Sequence, residues 1–289
     1  MGIGMTSVAV IKLGCIGTSP LLDLLLDERA DREDLRIRAF SSGPRLDLEA
    51  GAELAEAAVA FAPDLILVVS PNAVLPGPKR AREICAASGL PTIALGDAPS
   101  RKAFFTKDEA GKQVEAERPD NLGFIIITPD PMLGARRQFL DPSEMALFNG
   151  DVIKVLAATG VLRVVQEAID GVIHALDADT PPELPALVVG PEIALEHEFF
   201  ANPYAAAKAF AALKIAESVA AVTGRACFAE KDAARYVPMA AGAHEMLRAA
   251  ASLADSAREI EKAGDTVARA PHAADGSLLA KRALAEAPS

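Results

Sequence analysis

The stretch SVAVIKLGCIGTSPLLDLLL, Ser7–Leu26, decides the fold. An apolar run ends in a glycine-containing turn, Gly14–Ser19, and a leucine-rich segment follows at helical spacing. Ser19 and Pro20 supply a cap and a first helical position. Strand, tight loop and helix in that order open a βαβ unit. The helix start is a place where backbone N–H groups can hold an anion.

The same alternation continues outward from this unit. Apolar runs at Ser7–Leu13, Leu35–Phe40, Asp64–Ser70, Pro91–Leu95 and Gly123–Thr128 read as strands. The later runs, DLILVVS and GFIIIT, are almost continuously apolar, as expected of strands covered on both faces. Asp47–Phe61 and Pro78–Ser88 read as helices between them. Repetition of this unit predicts a parallel sheet with right-handed crossovers. The polar segment 101–122 reads as an excursion or lid.

After Asp130 the texture turns helical. Asp141, Pro142 and Glu144 form a start signal for a helical stretch that runs to the region of Asp179. Gly150, Gly160 and Gly171 mark bends or close helix contacts within it. Asn202-Pro203 opens a helix to about Val222, and Ala243–Ala263 supports another. The stretches RACFAEK (225–231) and TVARAPHAADGSLLAKR (266–282), the latter turning at Asp275-Gly276, read as short strands of a small sheet. The expected fold is α/β: a Rossmann-like parallel sheet domain with an added helical bundle and a small carboxy-terminal β-sheet. The expected division is residues 1–130 (coenzyme side), 131–223 (helical) and 224–289 (small sheet plus helix).

A net charge of −11 argues against a general nucleic-acid or anionic-membrane binder. Three cysteines, Cys15, Cys85 and Cys227, without a CxxC spacing fit a reducing setting. With no run long enough to span a membrane and no leader pattern, they predict a cytoplasmic protein.

Ligands of doubly wound sheets bind beyond the carboxyl ends of the strands. Here those ends are Gly14–Ser19, Ser41–Arg45, Ser70–Gly77, Gly96–Pro99 and Thr128–Asp130. Gly14-Cys15-Ile16-Gly17 is not a GxGxxG fingerprint, and no GKS or GKT follows it. The second strand ends in FSSGPR, without an acidic residue for an NAD ribose. Ser41, Ser42 and Arg45 suit a 2′-phosphate better, which disfavours NAD more than NADP. Cys15, before a helix, is placed for a lowered thiol pKa. Glu196-His197-Glu198 is the nearest approach to a metal cluster, yet lacks ligand spacing. Arg136 and Arg137 could hold carboxylates or phosphates, or pair with Asp130, Asp141 and Glu144. His244 either faces a cleft or caps a neighbour.

The blocks GCIGTS, PNAVLPGPKRAREI, GDAP, MLGARRQFLDPSEMALFNGDVIKVLAATGVLRVVQEAID, NPYAAAKAFAALKIAE, RYVPMAAGAHEM and APHAADGSLLAKR resemble the coenzyme F420-dependent methylenetetrahydromethanopterin dehydrogenases along essentially the whole chain. The resemblance implies reversible hydride transfer between methylenetetrahydromethanopterin and the deazaflavin of coenzyme F420, without metal. It implies a homohexamer assembled as a trimer of dimers. Such chemistry needs two carbons held in contact, exclusion of water and a tuned field around a growing cation, but no nucleophile. On this basis Asp97 and Asp130 are the candidates facing the cation. Gly14, Cys15, Ile16, Gly17, Thr18, Ser19, Pro71 and Asn72 are candidates for the coenzyme. Met132, Arg136 and Arg137 are candidates for the pterin carrier, with Lys79 and Arg82 as further groups for anionic tails. Cys15 replaces an asparagine of the family pattern, and the segment 100–122 is longer than that pattern. These departures leave two alternatives: the same pterin reaction with NADP, or a catalytically silent ligand-binding paralogue.

Overall fold

The computed structural model describes residues 5–26, 32–131 and 141–289. Its centre is a six-stranded parallel sheet of order β2-β1-β3-β4-β7-β8. The strands are β1 (Thr6–Lys12), β2 (Leu35–Ser41), β3 (Leu65–Ser70), β4 (Thr92–Asp97), β7 (Leu122–Ile127) and β8 (Ala186–Val189). The short strands β5 (Phe105–Lys107) and β6 (Gln113–Glu115) pair antiparallel outside it. The strand order is the flavodoxin-like form of the doubly wound sheet, which reverses direction between β1 and β3.

Alternation along each strand divides the core. Val8, Val10, Leu65, Leu67, Val69, Ile93, Leu95, Ile125 and Ile127 point to one face. That face is covered by α1 (Thr18–Leu26), α5 (Pro142–Ala158), α6 (Val161–Asp177), α8 (Pro203–Gly224) and α9 (Ala233–Ala263). Ala9, Ile11, Leu13, Ile66 and Val68 point to the other, under α2 (Leu48–Ala60) and α3 (Pro76–Ala87). β3, β4 and β7 are buried along their full length. The almost unbroken apolar runs of DLILVVS and GFIIIT are therefore those of two-sided strands.

Local signals act where expected. Asp47 caps α2 by accepting from Ala50 N, Asp141 caps α5 from Glu144 N, and Asn202 caps α8 from Tyr204 N. Gly160, at φ +99°, divides the long helical stretch into α5 and α6. A Cβ there would lie 1.8 Å from the Ala194 carbonyl oxygen of α7 (Pro191–Glu198), so the glycine serves turn and contact together. No neighbour approaches Gly150 or Gly171 in this way.

Several expectations change. The strand β8, unread in the sequence, extends the sheet by pairing parallel to β7. RACFAEK is not a strand; Arg225–Ala229 forms a π-helical turn after α8. The expected carboxy-terminal sheet takes the form of a hairpin with two antiparallel bridges, Arg269 with Lys281 and His272 with Leu278. The last long helix begins at Ala233, so His244 lies inside α9 rather than at its start. The segment 101–122 opens with α4 (Arg101–Phe104) and is pinned to the sheet face by aromatic packing. Phe104 stacks on Phe124 at 4.5 Å, and Phe105 meets the same ring edge-on at 5.6 Å.

The hairpin is tied down by buried charge. Arg32 Nε donates to Asp34 at 2.8 Å, and His272 Nε2 lies 2.7 Å from Asp170 Oδ2. Arg32 Nη2 also approaches Asp170 at 3.4 Å. This network joins the residues before β2, α6 and the hairpin.

Candidate functional site

The carboxyl ends of β1, β3, β4 and β7 converge on one edge, where sheet direction reverses. Immediately after β1, the Leu13 N–H donates to Val69 O at 2.9 Å and the Gly14 N–H to Gly43 O at 3.1 Å. Gly14 has φ +77°, and a Cβ there would meet Pro71 Cδ at 3.1 Å and Leu46 Cδ2 at 3.0 Å. The first loop and the β3 loop thus touch through a position open only to glycine. This brings Gly14–Ser19 and Pro71–Asn72 together, as the candidate coenzyme set requires.

The start of α1 holds an anion, and that anion belongs to the protein. Asp130, beyond β7, is fully buried. Its Oδ1 accepts from Gly17 N at 3.0 Å and its Oδ2 from Thr18 N at 2.8 Å. The Thr18 hydroxyl donates to the same Oδ2. Amides that the sequence marked as free for a ligand phosphate are therefore used internally. Burial pushes the Asp130 carboxyl up to about 6, against the pull of the Thr18 and Gly17 donors. At Gly17 a Cβ would fall 2.1 Å from Val152 Cγ1 and 3.1 Å from Asp130 Oδ1. α5 and Asp130 can close on the loop only because Gly17 lacks a side chain.

Asp97 ends β4 and opens the tight turn Ala98–Ser100. It is 2% exposed, and its Oδ1 has no hydrogen-bond partner among the described residues. Burial pushes its carboxyl well up, and the negative charge of Asp130 pushes in the same direction. The two candidate aspartates are thus within electrostatic reach of each other.

Within the first loop the side chains divide. Ile16 joins the main core and Thr18 is buried against Asp130, while Cys15 is exposed and Gly14 and Ser19 are half-buried. The Cys15 thiol lies 3.7 Å from Asn149 Oδ1 on α5. Burial and the nearby Asp130 raise the thiol pKa, outweighing the Asn149 contact. The expectation of an activated, low-pKa thiol is therefore overturned, because the helix-start amides already serve a carboxylate.

At the β3 loop, Asn72 Oδ1 accepts from Val74 N at 3.0 Å, and Ala73 N donates to Ser100 Oγ at 3.0 Å. Arg82 donates to Ala73 O at 2.9 Å and lies 5.0 Å above the Phe104 ring, bracing this loop from behind. Lys79 is exposed beside Glu83. Arg45, considered for a 2′-phosphate, makes two 3.0 Å contacts with Asp47. Met132, Arg136 and Arg137 lie outside the described residues.

Sequence reading missed Asn149, Ser100 and Glu217. Ser100 Oγ lies where a Cβ on Gly96 would collide at 2.3 Å, so Gly96 and Ser100 form a packed pair. The Thr128 hydroxyl donates to Glu217 on α8, and Lys214 reaches both Glu217 and Glu192 at 3.2 Å. The i,i+3 spacing of Lys214 and Glu217 was readable, but not their approach to the end of β7. His244 packs against Phe148 at 4.4 Å, with its Nδ1 3.5 Å from Glu144. Of the nearest metal-like trio, His197 contacts Glu167 at 2.6 Å and Glu198 contacts Arg163 at 3.0 Å. No group of three His, Cys, Asp or Glu among the described residues is placed to hold a metal ion.

A doubly wound sheet with a glycine loop and two buried carboxylates at the carboxyl ends of its strands places this chain among α/β proteins whose ligands bind at that end of the sheet. Residues 6–289 match the family model of methylene-5,6,7,8-tetrahydromethanopterin dehydrogenase. The F420-dependent methylenetetrahydromethanopterin dehydrogenase of Archaeoglobus fulgidus is 54% identical over 98% of this chain and 99% of its own length. The enzyme of the same name from Methanocaldococcus jannaschii is 50% identical, with coverage of 98% and 99%. A solved F420-dependent methylene-tetrahydromethanopterin dehydrogenase, in complex with methylene-tetrahydromethanopterin and coenzyme F420, is similar with a TM-score of 0.90. It is 49% identical, and the match covers 99% of this chain and 100% of that one. The chain belongs to the methylenetetrahydromethanopterin dehydrogenase family.

Proposed function

We infer that this protein is a coenzyme F420-dependent methylenetetrahydromethanopterin dehydrogenase. It moves a hydride between the methylene group of the C1 carrier and the deazaflavin, with the methenyl cation as the oxidised product. The observation that carries this reading is near-half identity along both full lengths to a structure holding both ligands, with a TM-score of 0.90. NADP and a silent paralogue are not favoured: the similar proteins are named F420-dependent enzymes, and Arg45 is engaged with Asp47.

The residues at the switch point fit a deazaflavin and a pterin. Gly14 lets the first loop close against Pro71 and Leu46, and Asp97 Oδ1 is a buried acceptor without a partner among the described residues. The coenzyme supplies the hydride-accepting carbon; the chain supplies placement and field. The coenzyme-side set is Gly14, Cys15, Ile16, Gly17, Thr18, Ser19, Pro71 and Asn72, all within the coenzyme-side unit of residues 1–130. Ile16 and Thr18 act from behind, by holding the loop in shape. Asp97 and Asp130 place negative charge near the cation that forms. Met132, Arg136 and Arg137 are assigned to the pterin carrier on the family resemblance alone. No helix among the described residues is long and apolar enough to cross a membrane. A cytoplasmic homohexamer, built as a trimer of dimers, completes the reading.

Parallel titrations with coenzyme F420 and NADP, each followed by addition of the methylene carrier, test it. Saturable F420 binding and loss of deazaflavin absorbance are expected. Turnover with NADP alone overturns the coenzyme, and F420 binding without turnover overturns the enzyme.

A further inference from the structure

The two aspartates of the site have different surroundings, although both are buried. Asp130 spends both carboxylate oxygens on the first loop: Oδ1 on Gly17 N, and Oδ2 on Thr18 N and the Thr18 hydroxyl. Three donors aimed at one carboxylate favour its charged form. Asp97 has fewer: its Oδ1 is buried with no partner among the described residues, and its own backbone N–H is the donor that favours its charged form. Among the described residues Asp130 is the titratable group whose charge bears most on it and opposes a negative charge there, while the Cys15 thiol, itself raised, stays protonated. Two neighbouring carboxylates in a low-dielectric site do not both ionise; the group with fewer donors keeps the proton.

The reaction proposed above has a matching need. When the C1 carrier's C–H bond breaks, hydrogen leaves with both bonding electrons and forms a new C–H bond on the deazaflavin. The carrier is oxidised and left positive. The deazaflavin is reduced and gains the electron pair, and a ring nitrogen takes one proton to complete the neutral dihydro form. We propose that Asp97 is the acid that supplies this proton, directly or through one water. Its O–H bond breaks as the ring N–H bond forms. The carboxylate left behind faces the new cation, so the site's net charge stays constant through the step. In the reverse direction the same carboxylate takes the proton back. Asp130 is the positioning residue: it holds the loop and keeps the proton on Asp97.

The proposal rests on the F420 reading, and its test separates the two. Infrared spectra of wild-type protein carrying isotope-labelled aspartate, taken at neutral pH without ligand, are expected to show the carbonyl stretch of a protonated carboxyl group. The band should be missing from Asp97→Asn and present in Cys15→Ala. In single turnovers Asp97→Asn should keep its affinity for coenzyme F420 while deazaflavin reduction slows by about 100-fold or more. The wild-type solvent isotope effect on that step should also disappear. Absence of the band from wild-type protein overturns the proposal without need of any variant. So does a band that survives Asp97→Asn, or reduction by that variant at the wild-type rate. Failure of wild-type protein to bind F420 overturns the functional reading, and with it the proton's acceptor.

Discussion

The backbone N–H of Thr18 donates to Asp130 Oδ2 at 2.8 Å, across 112 residues of sequence. This bond converts a loop that resembles a phosphate site into a clamped structural turn. It also delivers a carboxylate to the sheet's ligand edge. Asp130→Ala should leave the Gly17 and Thr18 amides buried and unmet, at about 1–3 kcal/mol. Chemical denaturation should show the loss, and coenzyme titration a weakened affinity. An unchanged midpoint would mean that the clamp contributes nothing.

The same carboxylate makes stability depend on pH. Asp130 titrates at about 6 in the fold against 3.8 in the unfolded chain. Between these values the folded state binds more protons, so its contribution to stability falls as pH rises through that window. Two pKa units correspond to about 3 kcal/mol. The contribution is fully present below about pH 4 and lost above about pH 6. Unfolding free energies of wild type and Asp130→Asn across this range should therefore converge or cross as pH rises. Parallel curves would show that Asp130 ionises normally.

Gly17→Ala tests the contact between loop and helix. The new methyl would fall 2.1 Å from Val152 Cγ1, so the loop or α5 must shift. A destabilisation of about 1–3 kcal/mol is expected. Val152→Ala should relieve part of it, a non-additivity readable in a double-mutant cycle. Strict additivity of the two changes would refute the contact.

Cys15 should behave as an unreactive thiol although the residue reaches solvent, because partial desolvation of its sulfur and the nearby Asp130 hold its pKa above the ordinary value. Cys85, pushed up to about 12 by burial, should be slower still. Alkylation at neutral pH followed by mass spectrometry gives the order. Rapid labelling of Cys15 at neutral pH would contradict it. Cys15→Asn should raise F420 affinity or rate, and no change in either would deny the position a role in the loop.

Gly276→Ala should destabilise the protein without altering the switch-point loops. Gly276 has φ +80°, and a Cβ would lie 2.2 Å from Asp34 Oδ2, inside the Arg32–Asp34–Asp170–His272 network. Breaking a buried ionic group of this kind costs about 3–5 kcal/mol. Thermal unfolding should reveal it, with F420 affinity preserved in the protein that remains folded. Affinity lost in step with stability would mean that hairpin and crevice are coupled.

By itself the sequence determined whatever depends on neighbours along the chain. Four of the five apolar runs became strands buried on both alternating faces, and the fifth, LRIRAFS, alternates with arginine as the exposed edge strand β2. Asp47, Asp141 and Asn202 cap helices because their side chains reach amides two or three residues on. The positions of Gly14–Ser19 and Ser70–Gly77 at the carboxyl ends of strands could be read from the order of strands and helices alone. What only the tertiary structure decided depends on residues far apart. The four-residue strand β8, ALVV between Pro185 and Gly190, is too short for its run to fix a partner and joins the sheet because β7 offers it an edge. The amides at the start of α1 looked open to a phosphate until Asp130 arrived, and no local pattern marks a bond across 112 residues. The same arrival reversed the expectation for Cys15, since a buried carboxylate beside a thiol raises its pKa where a bare helix start would lower it. Strands and caps arise from short-range sterics and hydrogen bonds. Charge in this site is set by burial and by partners that only folding brings within reach.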